Sequence, residues 1–110
     1  MGRWVKAADI AEFEQRPADQ PSVAVDVEGY DLVIFRLSDG WGALDNTCSH
    51  EYYRLSDGEV WDDRVYCEKH GSSFDCRTGE VRGLPATEDV PSFAVEERGS
   101  ELWVELPDFA

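Results

Sequence analysis

Val23, Val25 and Val27 alternate with Ala24, Asp26 and Glu28, the period-2 pattern of a strand with one face buried. Gly29 permits a turn, and Leu32 to Leu37 follows as a β-branched and aromatic run. Ser38-Asp39-Gly40 is turn chemistry, so Trp41 to Leu44 is expected to return as a hairpin partner. Towards the N-terminus, Arg3 to Lys6 predicts a short strand. Asp9 to Phe13 predicts one turn of helix capped by Asp9. Gln15 to Pro21 is a polar, proline-punctuated loop. At the other end, Ser92 to Glu97 and Glu101 to Leu106 predict a hairpin around Gly99-Ser100.

The middle of the chain breaks this rhythm. From Asn46 to Ala86 the apolar runs are very short and the turn signals dense: Asp57-Gly58, Asp62-Asp63, Thr78-Gly79, Gly83 and Pro85. A stretch with so much loop generally needs a support other than a hydrophobic core, such as a metal. The pattern therefore predicts an all-β protein, a small antiparallel β-sandwich or partial barrel. Its base sheets come from residues 1–45 and 87–110, and a loop-rich insertion spans residues 46–86.

Composition narrows the picture. A length of 110 residues suits one domain. The formal charge of −14 argues against nucleic acid, which is bound through Lys and Arg, and against an anionic membrane surface. So much charge raises the question of disorder, but four Trp, four Tyr, five Phe and 42% hydrophobic residues are enough for a modest core. No apolar run approaches the ~20 residues of a membrane span, and Met1 to Ile10 lacks an apolar signal core. Three cysteines, an odd number, do not suggest a disulfide framework, so a reducing cytoplasm is the expected setting.

Most of the soft metal ligands fall in two short clusters. Cys48-Ser49-His50 is followed, sixteen residues on, by Cys67-Glu68-Lys69-His70, and both histidines of the chain are used. Each cluster offers one thiolate and one imidazole, as two loops facing each other across a metal would. Two centres fit. A tetrahedral Zn²⁺ accepts two Cys and two His. A [2Fe–2S] cluster can hold one iron through two cysteines and the other through two histidines. Zinc-finger spacings tend to pair Cys with Cys and His with His, whereas here each pair is mixed.

Cys-x-His followed by Cys-x-x-His-Gly resembles the signature of Rieske [2Fe–2S] proteins. Gly71, Phe74, Thr78-Gly79 and Leu84-Pro85-Ala86 are similar to the Gly, aromatic, Thr-Gly turn and proline loop of the Rieske ferredoxins of bacterial aromatic-ring dioxygenases. The resemblance covers nearly the whole chain. It implies a Rieske-type fold with 46–86 as the cluster-binding subdomain, and Cys48, His50, Cys67 and His70 as ligands of a [2Fe–2S] cluster. The histidine-bound iron would be the outer one. Ser72 would donate to a bridging sulfide, Pro85 and its loop would cover the cluster, and Tyr52 or Tyr53 would lie near its rim. Cys76, outside the motif, is expected to be a buried thiol.

Several positions place the chain on the low-potential branch of that resemblance. The respiratory relatives carry a tyrosine donor where this chain has Phe74, and a disulfide where it has Tyr53 and Lys69. Glu51 and Glu68 should disfavour the reduced, more negative cluster. Glu68 itself departs from the proline often found there. With two histidines in all, both in the motif, the chain lacks the means to build a mononuclear 2-His-1-carboxylate iron site. It also lacks a Gly-rich dinucleotide fingerprint.

The expected role is thus a one-electron carrier and not an enzyme. The resemblance supplies a flavin-dependent ferredoxin reductase as donor and a Rieske terminal oxygenase, dihydroxylating an aromatic ring, as acceptor. The carrier would be a cytoplasmic monomer. The alternatives are a Rieske-like subunit of a nitrite reductase, a protein of another iron–sulfur system, or a structural Cys₂His₂ zinc interaction module.

Overall fold

The computed structural model describes residues 2–47, 54–67, 72–83 and 88–107. Three antiparallel sheets account for its strands. A terminal sheet joins the two ends of the chain, with β1 (Arg3–Asp9) beside β11 (Glu101–Leu106) and β11 beside β10 (Val95–Arg98). A middle sheet has β2 (Ser22–Val27), β3 (Tyr30–Leu37), β4 (Gly40–Asp45) and β9 (Ser92–Phe93) in that order. An insertion sheet consists of β5 (Val60–Trp61), β6 (Arg64–Tyr66), β7 (Ser73–Asp75) and β8 (Val81–Gly83). The small antiparallel sheets read from the sequence are thus present, and four of the five strands of three residues or fewer among the described residues fall between Asn46 and Ala86, the fifth being β9.

The middle sheet is the centre of the molecule because both of its faces are covered. Leu32 and Ile34 of β3 join Ala43, Leu102, Val104 and Leu106 in a core against the terminal sheet. Val33, Phe35 and Leu37 join Leu44, Leu55, Val65, Phe74 and Val90 in a second core against the insertion. This explains the unbroken apolar run at Leu32 to Phe35, where a strand with one wet face would alternate.

The β2–β3 hairpin closes through a two-residue turn with Glu28 and Gly29 at φ 52° and 89°. That left-handed pair matches the twist of the strands and favours glycine. Asp62-Asp63 forms the corresponding turn between β5 and β6, with φ 51° and 58°.

Gly42 has a different reason to be glycine. A Cβ there would sit 2.1 Å from the main-chain oxygen of Cys76. Its absence lets the insertion lie directly on β4. Arg77 fastens the same contact from outside, bonding Asp63 at 3.0 Å and pairing with Asp39 of the β3–β4 turn.

Two local expectations need correction, and a third holds in 3-10 form. The segment Ser92 to Glu97 is not one hairpin strand. It divides at Ala94, with β9 pairing β4 in the middle sheet and β10 pairing β11 in the terminal sheet. The N-terminal strand runs on to Asp9, with a register shift between Lys6 and Ala8. The turn of helix after it is a 3-10 turn at Ile10–Phe13, capped by Asp9, whose N–H donates to the Glu12 carboxylate at 2.8 Å.

Candidate metal centre

The hairpin geometry of the insertion sheet determines where its connections emerge. β6 and β7 are antiparallel, with Tyr66 opposite Ser73, so Cys67 and Ser72 lie at the same end of the sheet. There the Cys67 N–H donates to the Ser72 carbonyl at 2.6 Å. β8 ends at Gly83 opposite Ser73, so the chain leaves towards residue 84 at the same end.

The earlier connection is rooted there too. Thr47 and Arg54, which flank residues 48–53 in sequence, form an isolated antiparallel bridge. From Arg54 the chain passes Leu55–Asp57, a 3-10 turn, and reaches Tyr66, whose N–H donates to the Glu59 carbonyl at 2.9 Å. The two stems that carry the Cys/His clusters in sequence thus stand together at one end of the insertion sheet. The tight Asp62-Asp63 and Thr78-Gly79 turns close the other end.

Two site residues from the sequence reading lie within the described structure. Cys67 is 3% exposed and lies in the core shared with Leu55, Val65 and Phe74. Ser72 is fully buried. Cys48, His50, His70 and Pro85 lie outside the described residues, as do Glu51, Tyr52, Tyr53, Glu68, Lys69, Gly71, Leu84 and Ala86. Among the described residues no three Cys, His, Asp or Glu side chains form a metal cage. The described part of the donor set still fits an iron–sulfide centre. It presents a buried cysteine, soft in character, hydrogen-bonded to Ser72, with Thr47 and Arg54, the residues that flank the other Cys/His segment, at the same end of the sheet.

The neighbours of the motif behave as their chemistry predicts. Phe74 is fully buried and packs in the insertion core. Cys76 is fully buried, and its thiol is pushed well above the ordinary range, first by burial and then by the charges of Asp75 and Asp63. A thiol so disfavoured as thiolate belongs to the packing. The Thr78-Gly79 turn is held by the Asp75 carboxylate, which accepts from the N–H groups of Arg77 at 2.8 Å and Thr78 at 3.0 Å.

One residue escaped the sequence reading. Asn46 is fully buried two positions before Cys48 and makes five hydrogen bonds to other described residues, two through its main chain and three through its amide. A polar residue between an apolar strand and a ligand motif was the available signal.

Residues 3–94 match the Rieske [2Fe–2S] domain. The chain is 30% identical over 102 residues to the 3-phenylpropionate/cinnamic acid dioxygenase ferredoxin subunit of Shigella boydii, covering 92% of this chain and 89% of that one. It is similar to the ferredoxin of carbazole 1,9a-dioxygenase from Nocardioides aromaticivorans IC177, with 29% identity, a TM-score of 0.81, and coverage of 92% and 95% of the two chains. A chain in the complex of reduced oxygenase and oxidized ferredoxin in carbazole 1,9a-dioxygenase is 28% identical, with a TM-score of 0.80 and coverage of 93% and 92%. No helix among the described residues is long and apolar enough to cross a membrane. The chain therefore belongs to the Rieske [2Fe–2S] family, among the ferredoxin components of dioxygenase systems, and is an electron carrier built around a [2Fe–2S] cluster rather than a catalytic enzyme.

Proposed function

We propose that Cys48 and Cys67 hold one iron of the cluster and His50 and His70 the other. The observation that carries this reading is the common root of the two Cys/His segments at one end of the insertion sheet, with Cys67 buried at the mouth of the second. The bound cluster supplies the uptake and release of a single electron. In this reading residues 46–86 are the cluster-binding subdomain, and 1–45 with 87–110 are its base, all within one domain. The Ser72 hydroxyl would donate to a sulfide of the bound cluster, a bond that would favour the reduced form. Phe74 carries no donor group to add to it. Pro85 would cover the bound centre, as the resemblance implies.

The carrier takes its electron from a flavin-dependent ferredoxin reductase and delivers it to a Rieske terminal oxygenase that dihydroxylates an aromatic ring. Its similarity to dioxygenase ferredoxins over nine-tenths of the chain supports this circuit. Each encounter is brief and its interface small. The net charge of −14 steers basic partner surfaces towards it and keeps copies of the chain apart, in keeping with a cytoplasmic monomer.

EPR of the dithionite-reduced protein tests the ligand set, because mixed Cys/His ligation gives a lower average g than four cysteines. His50→Ala or His70→Ala is expected to abolish the visible spectrum and weaken the insertion, since metal binding supplies folding free energy there. An intact spectrum in either variant contradicts the assignment. Reconstituted turnover with each reductase and oxygenase pair tests the circuit. Transfer to a nitrite reductase and none to an aromatic-ring oxygenase would replace it.

A further inference from the structure

The 48–53 segment is rooted in a buried polar tie centred on Asn46. Its main-chain N–H donates to the Asp31 carbonyl at 2.9 Å, and its own carbonyl accepts from the Leu55 N–H at 3.1 Å. Its side-chain Nδ2 donates to the Ser56 hydroxyl at 3.1 Å and to the Asp31 carboxylate at 3.4 Å. Its Oδ1 accepts from the Ser56 N–H at 2.8 Å. Both amide hydrogens and the amide oxygen are thereby used, in a residue with no exposed surface.

The tie continues on either side. Arg54 donates to the other oxygen of the Asp31 carboxylate at 3.1 Å, and the Thr47 N–H donates to Asp45 at 3.0 Å. The side chain and main chain of this one residue thus join the start of β3 at Asp31 to the returning stem at Leu55 and Ser56, directly before the outgoing stem at Thr47. Its position is two residues from Cys48 and four from His50.

We infer that Asn46 is a positioning residue for the first ligand segment, fixing the stem from which Cys48 and His50 reach the cluster; this rests on the ligand set proposed above. The residue type follows from the partners. Two oxygen acceptors and one N–H donor demand two donors and one acceptor, which the carboxamide alone supplies among side chains of this length. An aspartate would keep the bond from Ser56 but set a second carboxylate against Asp31. A serine or alanine would leave the Ser56 N–H without its partner.

The test compares Asn46→Ala, Ser56→Ala and Ile34→Val with the parent, all loaded with cluster. Ser56→Ala removes one acceptor of the tie and leaves its main-chain bond. Ile34→Val trims the core on the far face of the middle sheet and controls for lost stability. Bleaching of the visible spectrum by a chelator well below unfolding is expected to quicken roughly tenfold in Asn46→Ala, the usual scale for losing a partner that orients a metal ligand. A smaller quickening is expected in Ser56→Ala, and none in Ile34→Val. The g values of the reduced protein should shift in the two tie variants only.

Parental spectra and bleaching in Ser56→Ala, together with the same result or no folded product for Asn46→Ala, overturn the role. Equal bleaching of Ile34→Val overturns it as well, by reducing the effect to general stability. A Cys48→Ser variant with parental iron and sulfide defeats the ligand set itself, and is thereby distinguished from a failure at Asn46.

Discussion

Gly42→Ala isolates the contact that seats the insertion on the base. The new methyl carbon would lie 2.1 Å from the Cys76 oxygen and 2.8 Å from its carbonyl carbon, whereas ordinary contact begins at 3.4 Å, so the two backbones would have to part by about 1.3 Å. Neither side gives way easily. Gly42 pairs with Phe35 within the middle sheet, and the Cys76 N–H is held by the Asp63 carbonyl at 2.9 Å. Overpacking by a side chain costs about 1–3 kcal/mol, and a clash between two fixed backbones belongs at the upper end or beyond, near 3 kcal/mol. For a chain of this size each kcal/mol moves the unfolding midpoint by roughly 4–6 °C, giving a fall of about 12–18 °C.

Gly29→Ala is the matched control. Gly29 has a left-handed φ of 89° but nothing within 4 Å of the new Cβ. Its substitution carries only the left-handed penalty, about 1–2 kcal/mol, or roughly 4–12 °C. Both variants should be loaded with cluster and heated at one scan rate, because loss of the cofactor makes the midpoint rate-dependent. A Gly42→Ala midpoint no lower than that of Gly29→Ala would refute the claim that close backbone approach holds the insertion in place.

Three further outcomes follow from the buried and exposed titratable groups. Cys76→Ser should retain the parental iron and sulfide content while losing about 1–3 kcal/mol by burying a hydroxyl in an apolar site; lost iron would make Cys76 a ligand. The native Cys76 thiol should resist alkylation until the protein unfolds. The Glu28 carboxyl is held below its usual range, chiefly by its bond to Arg3. A lowered value in the folded state means that its contribution is present above the unfolded carboxylate range and is lost as pH falls through the folded value. Glu28→Gln should therefore flatten the acid limb of the stability profile slightly at low salt and change nothing at high salt; a steeper limb contradicts the assignment.

The sequence by itself determined what depends on neighbours along the chain. Alternation at Val23 to Val27 specified a strand with one buried face. The turn residues at Gly29, Ser38 to Gly40 and Asp62-Asp63 specified reversals, because φ preference is a property of one or two residues. The mixed Cys/His spacing was legible for a related reason: ligand type and separation are written directly in the chain.

Tertiary structure decided what depends on distant partners. Periodicity makes Ser92 to Glu97 a strand, but only the competing edges of β4 and β11 divide it between two sheets. The same run at Leu32 to Phe35 becomes a central strand because layers from both chain ends and from the insertion cover its two faces. Gly42 has no local turn to justify it and is explained by a carbonyl thirty-four residues away at Cys76. Asn46 reads as an ordinary loop residue until Asp31 and Ser56 close around it. Side-chain pattern is a local code, whereas the burial that gives these four places their meaning is assembled only when segments remote in sequence pack together.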